Sequence, residues 1–155
     1  MESRMKQHQL SGEEINNLLS VSKVGHLATN NSDGYPYVVP VHFVFNEECI
    51  YIHGLNRGHK LHNIQKNSKI CFEVSQMEGL ILDEKACDVN TQYQSVVIFG
   101  SAKMLDDTTH KIEALNLVVK KYTPELTGQE FPENMLKATG IIKIDIESMT
   151  GKFYK

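Results

Sequence analysis

Residues 37–45 read Tyr-Val-Val-Pro-Val-His-Phe-Val-Phe, and no other stretch constrains the fold as tightly. Laid out at a period of two, Tyr37, Val39, Val41, Phe43 and Phe45 share one face and Val38, Pro40, His42 and Val44 the other. The first face is wholly apolar and must look into a core. The second carries a proline and a histidine. Pro40 removes a ladder donor, which places this strand at an edge, at a bulge, or beside something that is not a strand. Just upstream, Asn30-Asn31-Ser32-Asp33-Gly34 is a dense turn signal, and Val24–Thr29 before it reads as the partner strand of a hairpin.

Strand signals continue. Ile50–His53 makes a third strand after the turn at Asn46-Glu47-Glu48, Lys69–Val74 a fourth, Gln94–Lys103 a fifth and Gly140–Ile146 a sixth. Asp83–Gln92 has no clear period and reads as a loop. Helices are few. Ser11-Gly12-Glu13-Glu14 has the form of a capping box, followed by Ile15, Leu18 and Leu19 at helical spacing. A second helix, from about Asp107 to Tyr122, puts Ile112, Leu115, Val118, Val119 and Tyr122 on one side. Hairpin succession with peripheral helices argues against a doubly wound parallel sheet. It favours a mainly β fold, a six-stranded antiparallel barrel with helices outside. We expect a single domain over residues 1–155, with 1–10 as an N-terminal tail. The fifth strand is apolar on both faces around Val96–Phe99, which predicts a twofold subunit interface.

Composition removes several classes of function. Sixteen Lys and Arg against nineteen Asp and Glu give a net charge of -3, so no basic excess exists to hold a nucleic acid. No apolar run approaches the ~20 residues that span a bilayer, and residues 1–10 lack the apolar core of a signal peptide. Cys49, Cys71 and Cys87 form an odd, widely spaced set without a CxxC, which points to reduced thiols and a cytoplasmic location.

The segment most suited to chemistry is His53-Gly54-Leu55-Asn56-Arg57-Gly58-His59-Lys60-Leu61. It follows a strand, holds two glycines and precedes a short helical pattern. Glycines let backbone N–H groups converge, a helix start offers unpaired donors, and Arg57 and Lys60 add positive charge: the layout of a phosphate site. A solvated strand-to-helix loop has the same composition. His59 and His62 share a helix face, but no third ligand stands at a fixed offset, so no metal site is expected. His42 and His53 sit on adjacent predicted strands and would share a pocket, or serve as structural histidines. No nucleophile triad, Walker loop or dinucleotide fingerprint is present.

The order Gly-His-Leu-Ala-Thr at 25–29, Asp-Gly-Tyr-Pro-Tyr-Val-Val-Pro-Val at 33–41, Ile-Tyr-Ile-His-Gly at 50–54, Gly-His-Lys-Leu at 58–61 and Ser-Val-Val-Ile-Phe-Gly at 95–100 resembles the pyridoxamine 5'-phosphate oxidase-like, FMN-binding split barrels. Within them it is most similar to the nitroimidazole-resistance branch, over roughly residues 10 to 150. The resemblance implies a homodimer with a flavin at the subunit interface: FMN, or FAD, since the phosphate site reads only the part they share. It implies that Lys60, with Leu61 and the Gly58 backbone, meets the phosphate, assisted by Arg57. Val39, Pro40, Val41 and His42 would line the flavin ring, His53 and Gly54 would lie beneath the ribityl chain, and Gln94 and Ser95 would close the site, across the dimer or within it.

The implied activity is flavin-dependent reduction of a small acceptor such as a nitroaromatic, with NADH or NADPH as donor. His42 would orient the acceptor or give it a proton, since an imidazole changes charge near neutral pH. Only Arg4 and Arg57 are present, and neither is placed for a second, substrate phosphate, which argues against pyridoxamine phosphate as substrate. A non-catalytic flavin carrier and a haem-binding split barrel are the alternatives.

Overall fold

In the structure, a computed structural model that describes residues 6–155, the first helix begins where the capping box sets it. Ser11 accepts from the Glu14 N–H at 3.3 Å while the Glu14 carboxylate accepts from the Ser11 N–H at 2.8 Å. Helix α1 then runs Gly12–Val21 and buries Ile15, Leu18 and Leu19.

Seven strands follow among the described residues, one more than expected: β1 Gly25–Asn30, β2 Pro36–Val41, β3 Val44–Asn46, β4 Cys49–Leu55, β5 Lys69–Ile81, β6 Asn90–Met104 and β7 Thr139–Tyr154. The reading of Tyr37–Phe45 as one strand fails at His42 and Phe43. There the Phe43 N–H donates to the Tyr122 hydroxyl at 3.0 Å in place of a strand neighbour, and pairing resumes at Val44. Up to that break the faces hold: Tyr37, Val39 and Val41 are half-buried, while Val38, Pro40 and His42 are exposed. The segment expected to be a loop, Asp83–Gln92, gives its last residues to β6, which pairs with β5 as far as Ile81 opposite Asn90. Helices lie outside the sheet: α2 His59–Lys66, α3 Thr108–Tyr122 and a short α4 Glu133–Ala138 that no pattern in the sequence announced.

All pairings are antiparallel and the order is β2-β1-β5-β6-β7-β4-β3. Strands β2 and β3 therefore stand at opposite edges of the sheet, although only His42 and Phe43 separate them in sequence. The chain crosses the gap at that point, and the sheet rolls into a barrel split along the line where its edges face each other. Pro40 lies on β2, which has a neighbour, β1, on one side alone; there a missing N–H is tolerated. Inside, Leu27, Phe43, Ile50, Ile52, Phe72, Val74, Val96, Ile98 and Ile144 are almost wholly buried, with Leu18 and Leu19 of α1 added from one side. On β6, Val96 and Ile98 face this core while Phe99 is 54% exposed, so the two-faced apolarity of that strand is real.

Residues 8–10 lie against the last strand. The Leu10 N–H donates to the Gly151 carbonyl at 3.0 Å, Phe153 donates to that of His8 at 2.9 Å, and Leu10 is buried. Residues 1–5 of the expected tail fall outside the described residues.

The two-residue turn between β3 and β4 carries a cost. Glu47 and Glu48 both have positive φ, 48° and 62°, a conformation natural to Asn and Gly and strained for a glutamate. Converting the pair to Asn-Gly (Glu47→Asn with Glu48→Gly) should stabilise the protein by about 1 kcal/mol, read as a higher urea midpoint. A lower midpoint would show that these carboxylates make stabilising contacts.

Candidate functional site

The split in the barrel opens into a cleft of about 410 Å³, lined by Val24, Pro40, Val41, His42, His53 and Lys60. Five of these six residues were singled out by the sequence, and they come from three separate elements. Strand β2 and the break after it supply Pro40, Val41 and His42; β4 supplies His53; α2 supplies Lys60. The cleft thus lies between edge strand β2 and the part of β4 beyond its pairing with β3, which ends at Tyr51 opposite Val44.

Helix α2 starts at Gly58, whose φ of 140° suits glycine and whose missing side chain leaves the first-turn N–H groups without a side-chain cap. The helix is fastened from behind. Buried Asn63 donates to Thr29 Oγ1 at 3.0 Å and Asn31 Oδ1 at 2.9 Å, and the His59 ring meets the same Asn31 oxygen at 2.7 Å. Gly54 keeps the ground beside Lys60 open: the Lys60 amine is the nearest atom a β-carbon at 54 would meet, at 3.9 Å. Neither Lys60 nor Arg57 has a hydrogen bond or ion pair among the described residues, and no carboxylate lines the cleft.

The two imidazoles approach as their adjacent strands suggested, with ring centroids 6.5 Å apart. His53 Nδ1 is sealed from solvent and has no hydrogen-bond partner. An unpaired lone pair in such a place costs less than an unpaired N–H, so the ring proton belongs on Nε2. Burial, and then the nearby His42, push the His53 pKa below the ordinary 6.5. An unfolded His53 takes up its proton first as pH falls, so its contribution to stability is complete above that value and is lost as the pH drops through the folded pKa. The urea midpoint should therefore fall as the pH is lowered through 6.5 and below, and less so in His53→Phe. Equal slopes in the two proteins would remove His53 as the cause.

Tyr122, at the end of α3, was expected only as part of that helix's apolar side, yet it braces the site. Its ring stacks on His42, centroids 4.7 Å apart and planes at 25°. Its hydroxyl accepts from the Phe43 N–H at 3.0 Å and stands 3.0 Å and 2.7 Å from the Phe43 and Lys23 carbonyls. One phenol thus satisfies the backbone that the strand break leaves unpaired. Sequence carries no signal for this, because the contact joins residues eighty positions apart.

The remaining predicted residues stand elsewhere. Val39 is half-buried on β2, and the Leu61 side chain belongs to the core. Gln94 and Ser95 lie near the start of β6 opposite Gln76 and Ser75, and neither lines the cleft. Gln94 donates to Glu78 at 2.7 Å, whereas buried Ser95 Oγ has no partner. A larger hollow of about 610 Å³ lies between α3 and strands β4 and β7, but it holds none of the predicted residues. Two of its lysines, Lys103 and Lys143, are engaged by Asp145 at 3.6 Å and 3.0 Å.

Comparison with known proteins bears on the fold that carries this cleft. The family model for pyridoxamine 5'-phosphate oxidase matches residues 11–153. A putative 5-nitroimidazole antibiotic resistance protein from Bacteroides thetaiotaomicron superposes with a TM-score of 0.82 at 22% identity, over 94% of this chain and 86% of that one. The FAD and heme binding protein from Mycobacterium smegmatis gives 0.88 at 20% identity, over 96% and 74%. The flavocytochrome Anf3 from Azotobacter vinelandii gives 0.87 at 22%, over 100% and 72%. Among curated proteins, a 5a,11a-dehydrotetracycline/5a,11a-dehydrooxytetracycline reductase from Streptomyces rimosus is 34% identical over 85 residues, so the match spans about half of each chain.

Proposed function

Since the chain belongs to the pyridoxamine 5'-phosphate oxidase family of split barrels, we propose that it binds FMN in the cleft at the barrel's split and works as a flavin-dependent reductase of a small acceptor. The observation that carries the reading is the character of the cleft: apolar walls, an unpaired amine at one end, and no acid in its lining. Lys60, the first-turn N–H groups after Gly58, and Arg57 would hold the phosphate. Pro40 and Val41 would give the ring an apolar wall, and the open side of Gly54 would admit the ribityl chain. His53 would donate through Nε2, its Nδ1 being sealed off. A bound flavin supplies hydride and electron transfer; these residues position it and exclude water. His42, its ring held by Tyr122, would orient the acceptor or hand it a proton.

A second copy of the chain would complete the site. Gln94 and Ser95 lie outside the cleft of their own protomer, and Phe99 on the same strand together with Val38 on β2 exposes apolar surface that a partner would cover. No helix among the described residues is long and apolar enough to cross a membrane.

The reading is tested on protein purified from flavin-replete cells. Flavin absorption, a released chromophore with the mass of FMN, and bleaching on anaerobic addition of NADH or NADPH are the expected results. The mass of FAD would change the cofactor and leave the site standing. A flavin that neither donor bleaches would make this a carrier, and a haem spectrum would move the chain to the haem-binding alternative.

A further inference from the structure

Nothing local favours a helix start at Gly58. Helix α2 is eight residues long, its N-terminus has no side-chain cap, and its first turn holds no acid. The first two helical residues are His59 and Lys60, and the lysine has the wrong sign for the positive end of a helix dipole. The turn on which the phosphate reading depends must therefore be held from outside the helix.

The holder is Asn31, in the turn between β1 and β2. Its own backbone is spent on that turn: the Asn31 N–H donates to the Tyr35 carbonyl at 2.9 Å, and the Asn31 carbonyl accepts from the Gly34 N–H at 3.0 Å. Its side chain reaches across to α2. There Oδ1 lies 2.7 Å from His59 Nε2 and accepts from Asn63 Nδ2 at 2.9 Å. An amide oxygen offers two lone pairs and no proton, so His59 Nε2 carries a proton and both lone pairs are taken. His59 and Asn63 stand four residues apart, on one face of the helix and across its first full turn. Tyr37 of β2 closes nearly edge-on against the His59 ring, centroids 4.5 Å apart. Asn63 also donates to Thr29, and both are buried, so this amide cannot swing away without leaving polar groups unpaired.

We propose that Asn31 is a positioning residue for the cofactor's phosphate: one amide oxygen, fixed in the β1–β2 turn, keeps the first turn of α2 formed before the phosphate arrives. The proposal rests on the flavin reading for the cofactor, and on the Asn31 contacts for the positioning. Preformed N–H groups bind an anion without the cost of ordering them first. Riboflavin, which shares the ring and the ribityl chain, gives the helix start nothing to hold. Asn31 therefore sets the preference for FMN over riboflavin and leaves the binding of the ring alone.

Titration of flavin-free protein with FMN and with riboflavin tests this. In Asn31→Ala the FMN affinity should fall about tenfold, with riboflavin affinity within about twofold of the parent's. Ser32→Ala, in the same turn, should alter neither. His59→Ala, at an exposed position, removes one of the two contacts and should give a smaller loss of the same kind, which keeps the test should Asn31→Ala fail to fold. Two readouts need no flavin. The His62 N–H donates to the Gly58 carbonyl at 3.1 Å and closes the first turn, so it should exchange faster in both variants. Inorganic phosphate should shift the Lys60 amide resonance at lower concentration in the parent than in either variant. FMN affinity or His62 exchange equal to the parent's in both variants, or equal losses for the two flavins, overturns the positioning role. Were the parent to bind neither flavin, the flavin reading would fall and the phosphate titration alone would decide. A shift that depends on Asn31 would keep the anion positioning; a shift that does not, or none at all, would remove it.

Discussion

Replacing Lys60 with Glu should leave the purified protein colourless. The amine stands in the cleft without a counter-ion, and the residues that could compensate are few: Arg57 is exposed and the N–H groups of α2 are fixed by the helix. Losing one charged hydrogen bond costs about 1.5–3 kcal/mol, and an added carboxylate repels the phosphate besides, so flavin affinity should fall about a hundredfold or more. Equilibrium titration of the apoprotein with FMN measures it. Glu13→Lys, a charge reversal of the same size and opposite sign at an exposed position of α1, is the control and should leave affinity as it was. Both variants should keep the far-UV spectrum of the parent. Full retention of flavin in Lys60→Glu would dismiss the phosphate assignment and, with it, the orientation proposed for the ring.

The largest effect on stability is expected at Gly100. Here β6 shifts register against β7, between Phe99 and Gly100, and a β-carbon at 100 would run into the backbone carbonyl of Asp145. A side chain in its way might have turned aside; a carbonyl fixed between two strands has no such freedom. Gly100→Ala should therefore cost about 3 kcal/mol, the upper part of the range for overpacking. For a domain of this size that lowers Tm by roughly 10 °C. The comparison is Gly12→Ala in the first turn of α1, where nothing lies within 4 Å and alanine is the better helix former; it should stabilise slightly. Equal melting temperatures for the two variants would mean that the bulge can rearrange around a methyl group.

What the sequence told in advance depended on whether the signal was local. The capping box at Ser11, the Asn30–Gly34 turn and the period of α3 are each carried by residues within a turn or two of one another, and each reappears. The loop from His53 to Leu61 was legible for the same reason, since glycines, cations and a helix start lie within nine residues. The break at His42 was not. Alternation continues through it in sequence, and the reason it ends lies in Tyr122, which takes over the Phe43 backbone from the far end of α3. Gln94 and Ser95 illustrate a different limit: resemblance placed them at the site, yet within this chain they do not line the cleft. The lengths of β5 to β7 were underestimated because their outer halves are polar, so pairing with a neighbour, and not periodicity, extends them.

The seam between β2 and β4 has a mechanical consequence. Two walls of the cleft belong to strands far apart in the order of the sheet, so whatever fills it acts as a latch across an otherwise unrungged gap. Occupancy and rigidity become the same variable. Amide exchange along β2 should slow when the latch is in place and quicken when it is withdrawn, with the far side of the barrel indifferent to both.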